Sequence, residues 1–265
     1  MRVALAQINS SADLAANLEL MAAWSAKAVE AGADLVVFPE ATMRAFGNRL
    51  TDIAEPLDGP WAQGVRAIAR EHGIVIAVGM FTPGSDAGHV RNTLLVTGPG
   101  VEESYDKIHL FDAFGFAESD TVDPGDDVVT VEIGGVRFGL AICYDIRFPR
   151  LFTALARLGA EATLVVASWG AGEGKVTAWQ TLAAARAMDA TTYVLACGQA
   201  DPEAVGRTVE GKAPLGVGHS IAVAPSGRVL ASAGAGEELL LVDIDPTSVP
   251  KARKVLPVLA NARDL

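Results

Sequence analysis

Short apolar runs alternate with amphipathic helical segments along the first two thirds of this chain. The apolar runs at residues 3–8, 35–38 and 74–79 have the length and β-branched content typical of buried strands. Between them, apolar positions recur with helical spacing at residues 13–31 and 61–72. This alternation predicts an α/β fold in which helices are layered on sheets.

Glycine-containing turns separate two further pairs of predicted strands. Residues 92–97 and 101–106 flank a Gly-Pro-Gly turn, and residues 128–133 and 136–142 flank a Gly-Gly turn, so each pair is predicted to form a hairpin. No linker of different composition and no repeat interrupts the chain, and we expect one domain over residues 1–265. The remaining predicted elements are strands at 164–167, 193–197, 221–224 and 239–242, and a helix from about residue 176 to 190.

Composition narrows the classes of function. Half of the 265 residues are hydrophobic, which is enough for a large core, and the net charge of −11 argues against nucleic acid as a partner. Two cysteines offer no disulfide framework, and no run approaches the roughly 18 apolar residues of a membrane span. The N-terminal apolar run is too short for a signal peptide. We therefore expect a cytoplasmic protein without membrane or nucleic-acid partners.

Cys143 stands where a predicted strand gives way to a helix. The apolar run ends at Ile142, and Pro149 opens a helical pattern just beyond it. A thiol on such a strand-to-helix elbow faces a cleft beside the first amides of the helix, which would lower its pKa and favour the nucleophilic thiolate. The alternative is that Cys143 is a small buried hydrophobic residue that closes the strand.

Two other reactive side chains follow predicted strands. Glu40 ends the apolar run at 35–38, and Lys107 follows the run at 101–106. A partly buried carboxylate can act as the base that a thiol needs, and an ammonium can stabilise an oxyanion. Taken singly, Glu40 could be a solvated strand end and Lys107 a surface charge. Together with Cys143 they predict a Glu-Lys-Cys catalytic site.

The order and spacing of these residues resemble the nitrilase superfamily of carbon-nitrogen hydrolases, and the likeness covers nearly the whole chain. Within that superfamily the chain is most similar to the short amidases, the omega-amidase and deaminated glutathione amidase group. The likeness is carried by Pro39-Glu40, Lys107-Ile108-His109-Leu110 and the Cys-Tyr-Asp-Ile-Arg-Phe-Pro run that begins at Cys143, with further matches at Val3-Ala4-Leu5-Ala6-Gln7, Gly59-Pro60, Asn92-Thr93, Gly218-His219-Ser220 and Pro225-Ser226-Gly227.

The resemblance implies a fold, an activity and an assembly. The family's fold is a four-layer α-β-β-α sandwich, and its catalytic Glu, Lys and Cys fall on Glu40, Lys107 and Cys143, with a second active-site glutamate on Glu118. The implied reaction is hydrolysis of a small carboxamide through a thioester on the cysteine, with no metal or organic cofactor. Residues 255–265 resemble a tail that reaches across a partner subunit, so a homodimer is expected. The alternative is a tail that docks on its own subunit or hangs loose.

Several residues are candidates for contact with the substrate. A backbone N–H near Tyr144 would help to hold the oxyanion. Trp169 follows a predicted strand and either lines the cleft or packs in the core. Arg147, four residues after the nucleophile, is the first candidate to bind a substrate carboxylate, because a guanidinium matches a carboxylate with two parallel hydrogen bonds. Arg44 is the second candidate. Alternatively, Arg147 forms a buried structural pair with Asp145.

Three other functions are compatible with these residues: nitrile hydrolysis, N-carbamoyl hydrolysis and non-catalytic binding in the same pocket. The two hydrolyses use the same Glu-Lys-Cys arrangement. An alternative mechanism would pair Cys143 with His109 or His219. The chain also departs from its relatives at Arg150, where they have glutamate, and at residues 177–180, which read Thr-Ala-Trp-Gln. These departures leave the substrate open.

Overall fold

The described structure contains fourteen strands and six α-helices. The structure, a computed structural model, describes residues 1–208, 211 and 213–263. The strands are β1 (Arg2–Gln7), β2 (Leu35–Val37), β3 (Val75–Pro83), β4 (Val90–Gly98), β5 (Val101–Asp106), β6 (Asp112–Ala113), β7 (Phe116–Ala117), β8 (Thr130–Ile133), β9 (Val136–Ile142), β10 (Ala162–Ala167), β11 (Tyr193–Gly198), β12 (Ile221–Val223), β13 (Val229–Ser232) and β14 (Glu238–Asp243). The helices are α1 (Leu14–Glu30), α2 (Pro60–His72), α3 (Pro149–Arg157), α4 (Lys175–Ala190), α5 (Ser248–Val255) and α6 (Val258–Asn261).

The large strands form two six-stranded sheets. The order in the first sheet is β14-β1-β2-β3-β4-β5, and in the second it is β13-β12-β11-β10-β9-β8. In each sheet three central strands are parallel, β1, β2 and β3 in one and β9, β10 and β11 in the other, while the outer strands are antiparallel. Because the carboxyl ends of parallel strands share one edge of a sheet, residues that follow these strands are brought together.

The inner faces of the two sheets pack against each other. Leu5 and Val37 of the first sheet share one buried cluster with Leu140, Leu164 and Leu195 of the second. Alternate residues of the same strands point outward, because side chains alternate across a strand. The outward residues of the first sheet pack under α1 and α2, and those of the second sheet pack under α3 and α4. The predicted four-layer α-β-β-α sandwich is confirmed.

Local signals explain why the first helices begin and end where they do. The side chain of Asp13 accepts hydrogen bonds from the amides of Ala15 and Ala16 at 2.9 and 3.1 Å, which caps the N-terminus of α1. Proline is the first residue of α2, and Gly73 ends that helix in the left-handed conformation at φ 63°. Both helices occur within two residues of their predicted bounds.

Three parts of the chain contain elements that the sequence analysis did not predict. Strand β13 was not predicted, and it lies at the edge of its sheet with much of its surface exposed. The stretch from 110 to 127 contains the short β6–β7 hairpin and a 3-10 turn at Glu118–Asp120. The C-terminal stretch forms α5 and α6 as far as residue 261, and its last two residues lie outside the described part. Among the helices of the described residues, none has the length and apolar character needed to cross a membrane.

Candidate active site

The fold brings Glu40, Lys107, Glu118 and Cys143 into one cluster. Lys107 Nζ lies 3.2 Å from Glu40 Oε1 and 2.8 Å from each carboxylate oxygen of Glu118. These three charged side chains are almost fully buried, with exposed fractions of 1 to 4%. Cys143 is partly exposed. Buried charges are stable only when they are paired, so the three form one ionic unit beside Cys143.

The backbone around Glu40 is tightly packed. Glu40 follows β2 and precedes Ala41, which has a φ of 58°. Gly79 of the adjacent strand β3 touches this turn, and a Cβ atom there would lie 2.7 Å from Glu40 Cα. On the other side, Gln199 Nε2 donates to the Glu40 carbonyl oxygen at 2.9 Å. Close packing on both sides holds the carboxylate in one position.

Glu118 has hydrogen-bond donors on all of its acceptor positions. A carboxylate offers about four lone-pair sites. Oε1 accepts from Lys107 at 2.8 Å and from Asn92 Nδ2 at 3.4 Å, while Oε2 accepts from Lys107 at 2.8 Å and from the amide of Phe111 at 2.7 Å. Glu118 therefore has no site left for a proton from the thiol, and its role in this geometry is to hold Lys107.

Glu40 keeps one acceptor position open. Oε1 accepts from Asn92 Nδ2 at 2.8 Å and from Lys107 at 3.2 Å, and Oε2 accepts from the amide of Ser168 at 2.7 Å. One lone pair of Oε2 remains without a donor from these groups. Since the charge of Glu40 is also near enough to raise the pKa of the Cys143 thiol, Glu40 is the carboxylate that can take the thiol proton.

The charges of the cluster shift its pKa values. Burial raises the pKa of Glu40, and the nearby charge of Lys107 only partly opposes this rise. Burial acts to lower the pKa of Lys107, but the two carboxylates beside it outweigh burial, so its pKa is raised and it stays an ammonium. Glu40 is thus a stronger base than an ordinary glutamate, and Lys107 remains a fixed positive charge.

The expected lowering of the Cys143 pKa is wrong. Burial and the negative charge of Glu40 raise the pKa of the thiol, and Lys107 lowers it less. Cys143 also opens a five-residue 3-10 turn at Cys143–Arg147, and the α-helix α3 begins only at Pro149, so few aligned amides face the sulfur. The thiol is therefore protonated at rest, and a base must remove its proton for attack. Its φ of 48° is a strained conformation that makes the elbow sharp.

Asp145 fastens this elbow to the segment that carries Lys107. Its Oδ1 accepts from the amide and ring Nδ1 of His109 at 3.0 and 2.7 Å, and its Oδ2 accepts from Tyr105 Oη at 2.7 Å and the amide of Ile142 at 2.9 Å. These bonds occupy Asp145, which is fully buried, so the alternative of a buried pair with Arg147 is wrong. The sequence analysis missed this role of Asp145, because its partners lie up to 40 residues away.

His109 and His219 are not placed as partners of the thiol. The His109 ring is bonded to Asp145 and stacks on Phe148 with ring centroids 3.7 Å apart. The carbonyl of His219 accepts from Trp179 Nε1 at 2.9 Å. Across residues 1–208, 211 and 213–263, neither histidine ring is hydrogen-bonded to Cys143. The geometry therefore favours Glu40 over histidine as the base.

Cys197 lies in the core, and the described residues offer no metal site. Cys197 is fully buried, and its thiol donates to the carbonyl of Val37 at 3.2 Å, as expected for a core cysteine. In the part of the chain that the structure describes, no three His, Cys, Asp or Glu side chains are grouped so that they could hold a metal ion.

The candidate substrate-binding residues lie at different depths. Arg147 is exposed, and its guanidinium carbon lies 6.0 Å from the ring centroid of Tyr144 and 5.3 Å from that of Trp169. Trp169 is 6% exposed and donates from Nε1 to the carbonyl of Lys175 at 3.0 Å, so it packs in the core and also faces Arg147. Arg44 donates to the carbonyl of Arg49 in its own loop at 3.2 Å. Of the two arginines, Arg147 is the one that is exposed beside the nucleophile.

Comparison with known proteins decides the family. A sequence model described as carbon-nitrogen hydrolase matches residues 2–254. The chain belongs to the carbon-nitrogen hydrolase family. A hydrolase of Mycobacterium tuberculosis, Rv0480c, is 53% identical over 270 residues that cover 100% of this chain and 96% of the relative. The omega-amidase NIT2 of Mus musculus is 32% identical, with 99% and 95% of the two chains covered.

One similar solved structure is that of an amidase with a covalent adduct at its active site cysteine. A mutant of the amidase from Nesterenkonia sp. AN1, with the acetamide moiety of fluoroacetamide covalently added at its active site cysteine, superposes with a TM-score of 0.82. It is 27% identical, and the match covers 99% of this chain and 94% of that one. Family membership and amidase relatives identify the chain as an enzyme, an amidase-type carbon-nitrogen hydrolase of the nitrilase superfamily.

Proposed function

We propose that this enzyme hydrolyses the carboxamide of a small molecule that also carries a carboxylate, and that it releases ammonia through a thioester on Cys143. The observation that carries the proposal is the distribution of hydrogen bonds on the two buried carboxylates. Glu118 is saturated, whereas Glu40 has one open acceptor position on Oε2 and lies beside the thiol. The site therefore contains one base, one nucleophile and one fixed cation.

In the first half of the reaction, the thioester forms. Glu40 takes the proton of Cys143 while the sulfur attacks the carboxamide carbon, and the carbonyl oxygen becomes an oxyanion. Lys107 Nζ and the backbone N–H of Tyr144 stabilise this oxyanion, a type of contact worth about 3 kcal/mol for each donor in other hydrolases. The C–N bond then breaks, and Glu40 returns the proton to the leaving nitrogen, which departs as ammonia.

In the second half, water releases the acid. A water molecule enters the space that ammonia has left, and Glu40 takes one of its protons while its oxygen attacks the thioester carbon. The C–S bond breaks, the sulfur recovers the proton from Glu40, and the carboxylic acid leaves. The enzyme returns to its starting state, and the scheme uses no metal or organic cofactor.

The substrate class is proposed from the surroundings of the thiol. One relative, NIT2, is an omega-amidase that matches this chain over nearly the full length of both chains. Arg147 is exposed beside the nucleophile turn and forms no salt bridge with any residue in the described ranges, so its guanidinium is available to a substrate carboxylate. We place the reaction in the cytoplasm, a reducing compartment that suits an enzyme dependent on a free thiol.

The test measures ammonia release from matched substrates. The omega-amide of a short dicarboxylic acid, the corresponding nitrile and the N-carbamoyl derivative are offered to the wild type and to Cys143→Ala. We expect the amide to be preferred, a mass increase equal to the acyl group on the wild type only, and no turnover by the variant, whose circular dichroism should be unchanged. Preference for the nitrile or carbamoyl compound would replace the proposed substrate class. An acyl adduct on Cys197, or binding without turnover of all three compounds, would refute the catalytic assignment.

A further inference from the structure

Six side chains form a closed ring of contacts beside the nucleophile, and we refer to this ring as the collar. It joins the turn after β9, the segment after β10, the start of α4 and the β6–β7 hairpin. Its members are Tyr144, Arg147, Trp169, Lys175, Phe114 and Phe111.

Neighbouring members of the collar contact one another. The guanidinium carbon of Arg147 lies 6.0 Å from the ring centroid of Tyr144 and 5.3 Å from that of Trp169. The indole Nε1 of Trp169 donates to the backbone carbonyl of Lys175 at 3.0 Å. Lys175 Nζ lies 4.4 Å from the ring centroid of Phe114 and 5.8 Å from that of Phe111. The aromatic rings of Phe111 and Tyr144 pack edge to face, with centroids 5.1 Å apart, and this contact completes the collar.

The collar lies directly against the catalytic cluster. Tyr144 is bonded to Cys143 along the backbone, and Trp169 follows Ser168, whose amide donates to Glu40. The amide of Phe111 donates to Glu118. Three of the six members, Tyr144, Trp169 and Phe111, are therefore attached to the catalytic cluster through the backbone.

Both cations of the collar lack an acidic partner. Ion pairs link several other arginines and lysines of the chain to carboxylates. Within residues 1–208, 211 and 213–263, neither Arg147 nor Lys175 forms such a pair, and both rest on aromatic faces. Aromatic contacts hold a cation in place without neutralising its charge, so both remain available to an anion.

Lys175 also occupies a position that disfavours a cation. It is the first residue of α4, and the first turn of that helix has no acidic residue. The N-terminus of a helix carries partial positive charge, which favours Asp or Glu and opposes Lys. Helix stability therefore does not explain a lysine here, whereas recognition of an anion does.

The charge of the cluster explains why an anionic substrate would need such a collar. Two carboxylates and one ammonium leave Glu40, Lys107 and Glu118 with a net negative charge, and the whole chain carries −11. An approaching carboxylate is repelled by both. The two unneutralised cations of the collar would oppose this repulsion.

We propose that the collar is a carboxylate-binding site in which Lys175 acts together with Arg147, and that Lys175 determines the preference of the enzyme for anionic amides. The inference rests on the proposed function for the amide chemistry, but the carboxylate recognition is separate from it. The aromatic members contact the alkyl chain of the substrate, and the two cations hold its far end.

The experiment compares Lys175→Met with a matched control. Lys27 Nζ also lies 4.4 Å from an aromatic centroid, that of Trp24 on α1, and Lys27→Met removes the same charge and a similar contact far from the collar. KM and kcat are measured at low and high salt for the omega-amide of a dicarboxylic acid and for an uncharged short amide. We expect Lys175→Met to raise KM for the anionic amide about tenfold, and to raise KM for the uncharged amide much less. High salt should weaken the difference, and Lys27→Met should show none of it.

Two further measurements separate this inference from the proposed function. Glutarate binding to Cys143→Ala, followed by calorimetry, should be lost when Lys175→Met is added. This loss would support the collar even if the wild type cleaved neither amide. Lys175→Glu should raise the melting temperature slightly, because it suits the helix terminus, while it abolishes glutarate binding. Three results would each overturn the proposal. They are equal KM changes on both amides, glutarate binding that survives Lys175→Met, and identical behaviour of the Lys175 and Lys27 variants.

Discussion

Replacement of Asn92 by alanine should change the pH at which the enzyme becomes active. Asn92 is 1% exposed, and its Nδ2 donates to Glu40 Oε1 at 2.8 Å and to Glu118 Oε1 at 3.4 Å. Its own Oδ1 has no hydrogen-bond partner among the described residues, so its contribution to the cluster is that of a donor. Asn92→Ala removes a donor from the base and leaves the nucleophile in place.

The size of the effect follows from the bond that is lost. A hydrogen bond to a charged group contributes about 1.5 to 3 kcal/mol, and about 1.4 kcal/mol corresponds to one pKa unit. The 2.8 Å bond favours the ionised form of Glu40, so its loss favours the protonated form and should raise the pKa of Glu40. Burial already raises this pKa, and the variant adds to that shift. At neutral pH more of the base is then protonated, and activity falls.

The assay is kcat/KM against pH for the wild type and two variants. The acid limb of the Asn92→Ala profile should move to higher pH by about one unit or more, and activity should recover as pH rises. Asn17→Ala is the control. Asn17 is also 1% exposed and donates to the carbonyls of Ser11 and Met43 at 3.0 Å each, and neither bond involves a carboxylate. It should lower stability without moving the acid limb. Loss of activity in Asn92→Ala with an unmoved acid limb would refute the reasoning.

Two other predictions concern packing and assembly. Gly79→Ala places a Cβ atom 2.7 Å from Glu40 Cα, and the overpacking should cost about 1 to 3 kcal/mol and lower kcat, whereas Gly234→Ala has open space and should change neither. Urea unfolding and steady-state kinetics measure both, and equal stability of the two variants would contradict the packing argument. The homodimer also stays a prediction. Val255 and Leu256 are 85% and 64% exposed at the end of α5, and light scattering at micromolar concentration should show a dimer that is lost when residues 255–265 are deleted. A monomeric wild type would exclude it.

Local patterns in the sequence were sufficient to predict most strands and helices of the sandwich. Buried strands such as β1, β2 and β10 have uninterrupted apolar runs, and α1 and α2 carry their own start and stop residues. Strand β13 escaped because it lies at a sheet edge, where one face is exposed and the apolar pattern fades. The β6–β7 hairpin is too short for any periodicity to be visible.

The reactive residue types were visible in the sequence because each follows a predicted strand. Glu40 and Lys107 follow strands of one sheet and Cys143 follows a strand of the other, so the packing of the two sheets brings them together. Glu118 was named only through the family resemblance, since its segment has no regular pattern. The roles of Asn92 and Asp145 as hydrogen-bond partners were not foreseen.

The sequence analysis named Glu40 as the base, but only the tertiary structure supplies the physical reason why Glu40, and not Glu118, can act as the base. That choice depends on donors from distant segments, such as the amide of Ser168, which is 128 residues from Glu40. The same holds for the thiol. The elbow at Cys143 suggested a lowered pKa, but the pKa of a buried group depends on every charge around it, and two carboxylates converge there against one ammonium. Sequence determines which groups end which strands, whereas the balance of charge and hydrogen bonds among them exists only once the chain has folded.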